Sequence, residues 1–218
     1  MLHTKAVQAQ TLALIRQLML DPKLEDFYLV GDAALSLLMG HQRSIDIELC
    51  SRWEFDPEII SQYLKRKHGA AEVVINEDGM AFFIQDIRVD MFADTSKRMA
   101  VQLKDEGIRM ESMKDIGAMK LNGLLRKGFR IQDLVNIYFL LEYEPLDAFM
   151  SAVKKKYPPI EMDSFYRRLK YSRDLVQAIL PFIGEPITHL EFNQRLVDAT
   201  RYPQKVFART PPLKPNGG

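Results

Sequence analysis

The stretch FYLVGDAALSLLMGHQRSIDIELC, residues 27–50, carries most of the fold information in this chain. FYLV (27–30) is an apolar run of strand length, and Gly31 follows it at once. AALSLLMG then has helical apolar spacing and closes on Gly40, a residue suited to a left-handed helix C-cap. SIDIELC (44–50) alternates strictly, with Ile45, Ile47 and Leu49 on one face and Ser44, Asp46 and Glu48 on the other. A glycine between strand and helix lets the backbone bend tightly. It also lets a phosphate approach the free N–H groups of the helix N-terminus, where the dipole favours an anion. The connection is too short for a P-loop and lacks the Gly-x-Gly-x-x-Gly spacing, so taken alone Gly31 reads first as a plain turn residue.

Outward from this stretch, residues 1–20 predict an amphipathic helix with Leu12, Ile15, Met19 and Leu20 on one face, broken at Asp21-Pro22. A helix is predicted over about 57–67, closed by His68-Gly69. AEVVIN (71–76), MAFFIQ (80–85) and IRVDMF (87–92) predict three short strands, the first two joined by a turn at Glu77-Asp78-Gly79. From about Ser112 the pattern is helical. It runs through SMKDIGAMKLNGLLRKG, RIQDLVNIYFLLEY, a helix opened by Pro145 and ended by Pro158-Pro159, and two more over 163–180 and 188–198. The expected organisation is an α/β core over 1–110, a helical region over 111–200, and a peripheral basic, Pro-rich tail over 201–218. That tail holds Arg201, Lys205, Arg209 and Lys214 and no acid.

The 218 residues are 47% hydrophobic and 27% charged, which excludes a disordered chain. Thirty Lys+Arg against 29 Asp+Glu leave a net charge of +1, which excludes a whole-protein electrostatic footprint for nucleic acid but not a local one. YRRLKYSRD (166–174) is the local candidate, and a solvated helix face is its plainer reading. Cys50 is the only cysteine, so a disulfide framework and a Cys-rich zinc site are excluded, and Cys50 itself reads as a small core residue. Histidines 3, 41, 68 and 189 have no His-x-x-x-His spacing, which argues against zinc. No apolar run reaches the ~18–20 residues of a membrane span, and the expectation is a soluble, cytoplasmic protein with no membrane partner.

Asp46 and Glu48 stand two apart on one strand, so both carboxylates leave the same face, roughly 6–7 Å apart along it. Asp90 occupies a second short strand, with Val89 and Met91 pointing the other way. Three carboxylates on adjacent strands suit one or two Mg²⁺ ions, hard cations that prefer oxygen. The same spacing also describes the solvated face of an antiparallel sheet. Lys120 reads as a helix-flank lysine whose stem covers apolar surface, and Asp133 as an acid in the first turn of its helix.

Taken together, VGDAALSLLMGHQRSIDIE, IRVDMF, DIGAMKLNGLLRKG and QDLVNIYFLLE, in that order over residues 24–143, resemble a known family. It is the AbiEii/AbiGii-type nucleotidyltransferase toxins of bacterial abortive-infection toxin–antitoxin systems, within the polymerase-β-like superfamily. The resemblance implies an α+β fold: a minimal nucleotidyltransferase core, a mixed β-sheet with flanking helices, followed by a helical C-terminal region. It implies Mg²⁺ or Mn²⁺ held by Asp46, Glu48 and Asp90, with Asp90 helping to deprotonate the acceptor hydroxyl. Gly31 would contact the triphosphate of an NTP substrate, at the turn that Asp32 shares, and Arg43 or Ser44 would approach the phosphates. Lys120 would neutralise triphosphate charge, and Asp133 would hold or activate a reacting group. The implied reaction moves NMP from an NTP to an RNA (a tRNA 3′ end) or a protein hydroxyl, with a cognate antitoxin as partner.

The chain departs from the family pattern at several positions. Asp32 replaces the second Gly, Ala33 a Thr, Glu48 an Asp, and Gln42 an Arg that here falls at Arg43. Arg-Asp-x-x-Asp has become Gln132-Asp133 with Asn136. A carboxylate at a phosphate-binding turn repels its ligand unless a cation intervenes. The alternative is therefore a catalytically degenerate member acting as a nucleotide-binding or protein-interaction module.

Overall fold

A computed structural model of the chain describes residues 1–127, 130–157 and 187–209. Among these the chain divides into two units: residues 1–97 with 101–112, and residues 98–100 with 113 onward. The predicted segment 163–180, the YRRLKYSRD motif, Pro158-Pro159 and Lys214 lie outside the described residues.

The first unit is one seven-stranded mixed sheet with helices against it. Its strands are β1 (Phe27–Val30), β2 (Ile47–Ser51), β3 (Ala71–Asn76), β4 (Gly79–Ile84), β5 (Ile87–Ala93), β6 (Leu103–Asp105) and β7 (Ile108–Met110), in the order β3-β4-β5-β2-β1-β7-β6. β2 runs parallel to β5 and antiparallel to β1, while β7 runs parallel to β1. Helices α1 (Ala9–Met19), α2 (Gly31–Met39) and α3 (Pro57–His68) pack on these strands. The predicted mixed sheet with flanking helices, followed by a helical region, is the observed architecture.

Local chemistry accounts for most boundaries. Asp56 caps α3 by accepting from the Glu58 and Ile59 amides, with Pro57 at the first helical position. Gly40 and Gly69 close α2 and α3 in the left-handed conformation. The core lies where Leu29, Ile47, Leu49, Val89 and Met91 meet, all at most 1% exposed.

Two expectations need correction. β2 begins at Ile47, so Ile45 is 56% exposed instead of sharing the apolar face; residues 44–46 are held differently, by a bridge between Val7 and Ser44. Leu20 follows the end of α1 and is exposed, while Leu14 and Leu18 fill that helix's buried face. β6 and β7 were not predicted. Arg109 of β7 holds this corner, donating to the Met19 carbonyl at 2.8 Å and the Leu24 carbonyl at 3.0 Å.

The second unit contains α4 (Met113–Lys127), α5 (Ile131–Leu140), α6 (Leu146–Lys156) and, past the undescribed segment, a helix from His189 to Arg201, here α7. Gly117 lies in mid-α4 because α6 comes close there: a Cβ on it would stand 2.6 Å from the Phe149 ring. The expected tail begins inside α7. Residues 202–209 pack on their own unit, the Phe207 amide donating to the Leu141 carbonyl at 2.9 Å and the Asp147 amide to the Pro203 carbonyl at 2.9 Å. Arg195 pairs with Glu142 at 2.6 Å, lies over Tyr138 and donates to the Ala208 carbonyl.

A buried acid staples α3 to the turn between α1 and β1. Asp21 accepts from the Tyr63 hydroxyl at 2.7 Å and from the Lys23 amide at 3.0 Å, and it pairs with His68 at 2.6 Å and Lys67 at 3.2 Å. Burial pushes the Asp21 carboxyl up, and those bonds together outweigh it, bringing its pKa from 3.8 down to about 2. A carboxyl with a depressed folded pKa stabilises the fold above its unfolded value, and that stabilisation is lost as pH falls through the folded pKa. Asp21→Asn is expected to cost about 2 kcal/mol at pH 7, and the difference from wild type should fade between about pH 4 and pH 2. Urea unfolding of both proteins across that range measures it.

Candidate active site

The site builds from the turn between β1 and α2. Val30 is extended, and Gly31 has φ of +65°, a conformation that costs a side-chain-bearing residue about 1–3 kcal/mol. Space matters as much, because a Cβ on Gly31 would overlap the carboxyl group of Glu48. The Glu48 carboxylate thus lies against the first residue of α2, at the positive end of that helix. Gly31→Ala is expected to lower stability by about 1–3 kcal/mol and to displace Glu48. A thermal melt, with an amide spectrum of the residues near β2, reads both effects.

Glu48 pairs in register with Val30 on one side and with Asp90 on the other. Asp46, just before β2, is exposed, and Glu48 and Asp90 are half-buried. Loss of hydration raises the Asp46 carboxyl above its ordinary range; Arg88 opposes this, and the neighbouring charges of Asp90 and Asp32 add to it. The structure therefore gathers Asp32, Asp46, Glu48 and Asp90 around one region.

Arg88, which the sequence reading passed over, belongs there too. It donates through Nε to Asp90 Oδ2 at 2.9 Å and through Nη2 to Asp90 Oδ1 at 2.7 Å. Its pKa is held up by Asp90 first, with Asp46 and Glu48 contributing. The missed signal is the period-two spacing that places residues 88 and 90 on one face of a strand.

Of the other expected residues in this unit, Arg43 is exposed. Ser44 is buried, with its amide donating to the Ala6 carbonyl at 2.9 Å, its carbonyl accepting from the Gln8 amide at 3.1 Å, and its Oγ 3.5 Å from the Asp46 carbonyl. Lys120 and Asp133 lie in the second unit and meet each other. Lys120 Nζ stands 3.1 Å from Asp133 Oδ1, and Arg130 clasps the same carboxylate at 2.9 and 3.1 Å. Lys120 is 6% exposed, so it is buried and not a helix-flank lysine, while Asp133, 4% exposed, does stand in the first turn of α5 as its pattern suggests.

All-oxygen donors suit a hard divalent cation by chemistry. Their placement is less convergent: among the described residues no three or more His, Cys, Asp or Glu are grouped so as to hold a metal ion, and the Asp90 oxygens are engaged by Arg88. No helix among the described residues is long and apolar enough to cross a membrane.

The mixed sheet with flanking helices, followed by a helical region, is a fold that this chain shares with solved structures, a nucleotidyltransferase among them. JHP933 from Helicobacter pylori aligns over 91% of this chain and 93% of its own, at a TM-score of 0.54 and 15% identity. A provisionally assigned nucleotidyltransferase from H. pylori aligns over 90% and 96%, also at 0.54 and 15%. The antibiotic-resistance factor ANT(2'')-Ia aligns over 77% of this chain and all of its own, at 0.52 and 12%. At these identities the likeness is one of fold. In sequence, the uncharacterized protein aq_aa25 of Aquifex aeolicus (strain VF5) is 28% identical over 160 residues, 71% of this chain and 77% of that protein. No protein-family model matches the chain.

Proposed function

We propose that the chain is a nucleotidyltransferase that moves NMP from an NTP to the hydroxyl of an RNA end, such as a tRNA 3′ end, or of a protein. The observation that carries this reading is the in-register pair of Glu48 on β2 and Asp90 on β5, with Glu48 against the Gly31 turn and Asp46, just before β2, close enough to feel the Asp90 charge. The acceptor oxygen forms a bond to the α-phosphorus, the bond to pyrophosphate breaks, and Asp90 receives the hydroxyl proton. Gly31 and the α2 N-terminus face the phosphates, with Arg43 or Ser44 near them. Asp46, Glu48 and Asp90 would hold Mg²⁺ or Mn²⁺, which supplies charge neutralisation to the phosphates when bound. The Lys120–Asp133 pair is proposed to serve the nucleotide as the resemblance implies. The biological role proposed is that of a toxin controlled by a cognate antitoxin, working in the cytoplasm.

A second reading is favoured by Asp32 beside the turn and by Arg88 on Asp90: a chain that binds nucleotide or protein without transferring. Incubation with each radiolabelled NTP, bulk tRNA and cell extract, in Mg²⁺ and in Mn²⁺, separates the two. Label on RNA or protein establishes the transferase and its acceptor class. NTP binding by calorimetry without label transfer supports the second reading.

A further inference from the structure

An apolar row of the sheet runs out at one edge. Leu49, Met91 and Met80 face one another across β2, β5 and β4, and Ile75 of β3 continues the row. The first three are at most 2% exposed, whereas Ile75 is 37% exposed, and Val74, on the other face of β3, is 60% exposed. β3 is the outermost strand of its side: it pairs with β4, and among the described residues no strand pairs with its other edge. Natural edge strands are commonly guarded by lysine, proline or a bulge. In β3 the register shifts between Ala71 and Val74, with Glu72 at φ of +51°, so only its first end is guarded in this way. Residues 73–76, Val-Val-Ile-Asn, hold neither lysine nor proline.

The charges at the two ends of β3 indicate what covers it. Lys65 and Arg66, both exposed, lie in the last turn of α3, which leads into β3. Glu77 and Asp78, also exposed, form the turn that follows β3. A second copy running antiparallel along this edge brings the acidic end of each strand to the basic end of the other, twice over, whereas a parallel copy sets acid beside acid. We propose that two copies of this chain pair antiparallel through β3, with Val74 on the two-fold axis and Val73 of each copy opposite Ile75 of the other. This register carries the row of Leu49, Met91, Met80 and Ile75 on into the second copy and keeps the two Glu72 side chains apart. Such a contact is self-complementary and closes at two copies. It stands independently of the nucleotidyltransferase reading.

Sedimentation equilibrium of the full chain over a concentration series tests it and is expected to show a monomer–dimer equilibrium. Val74→Lys sets two ammonium groups against each other at the axis and is expected to weaken the dimer at least about tenfold. Its far-UV circular dichroism should stay that of wild type, since the Val74 side chain is open to solvent. Glu77→Lys/Asp78→Lys should weaken the dimer too, and adding Lys65→Glu/Arg66→Glu should restore it, a recovery that a general surface effect does not give. For the register, Val74→Cys should form a disulfide-linked dimer under mild oxidation, Cys50 being buried, while Glu77→Cys, far from its equivalent, should not. A monomer at every concentration up to about 100 µM overturns the proposal. So does a dimer that Val74→Lys leaves intact, or a Val74→Cys link that forms no faster than the Glu77→Cys one. Assemblies larger than a dimer overturn it as well, because β3 would then meet the β6 edge of the next copy in a contact that does not close.

Discussion

Asp46→Asn is expected to lower label transfer by about 10²–10³-fold, the loss typical of deleting one preorganised charged or polar group at a reacting centre. Its effect on the fold should be small. Asp46 is exposed, and its carboxyl is pushed up by lost hydration and by the neighbouring Asp90 and Asp32 charges, with only Arg88 opposing. Asparagine keeps the shape and removes the repulsion, so the melting temperature should stay within about 2 °C of wild type or rise slightly. This split is the signature of a group retained for chemistry at some cost to stability. Transfer assays and thermal melts on the same preparations read the two sides. A variant that transfers normally would remove Asp46 from the site, and one that loses transfer together with fold would recast it as structural.

Lys156→Met is expected to destabilise the second unit by about 3–5 kcal/mol, because it strands a buried carboxylate. Lys156 Nζ stands 3.0 Å from Asp115 Oδ1, with side-chain exposures of 2% and 0%. Asp115 also accepts from the Met99 amide at 3.0 Å and the Ala100 amide at 3.1 Å, so it holds the segment 98–100 to the start of α4. Losing the ammonium removes the cation that stands 3.0 Å from this fully buried carboxylate. A fall in melting temperature of about 10 °C follows for a chain of this size. Lys156→Met/Asp115→Asn should recover part of the loss, since a neutral amide oxygen still accepts from residues 99 and 100 and no charge is stranded. Denaturant unfolding of the two variants and the wild type measures the effect. A single variant within about 1 kcal/mol of wild type would show that water reaches this pair.

Where the sequence reading succeeded, the determinants are local. The Asp56-Pro57 start and Gly69 end of α3 depend on groups a few residues apart, as does the turn from β1 through Gly31 into α2. The alternation of Arg88, Asp90 and their buried neighbours is also local, so the shared face of Arg88 and Asp90 is legible in the sequence. β6 and β7 are three residues each and carry too little pattern to stand out; β7 exists because it pairs with β1, some eighty residues earlier in the chain. Lys156 and Asp115 are 41 residues apart, and nothing in either helix marks them as partners.

By itself the sequence determined the element types, the caps and turns that bound them, and which strand faces bear acids. These follow from backbone conformational preference and from the periods of two and 3.6 that separate apolar from polar faces. The tertiary structure decided which strands become neighbours, placing Glu48 on β2 beside Asp90 on β5 in parallel register, with Arg88 bonded to that same Asp90. It also decided that Glu48 lies on Gly31 and that Lys120 is a buried partner of Asp133, not an exposed lysine. Strand pairing and burial are settled by contacts between distant segments, and a carboxylate's charge balance is set by whichever groups those contacts bring to it.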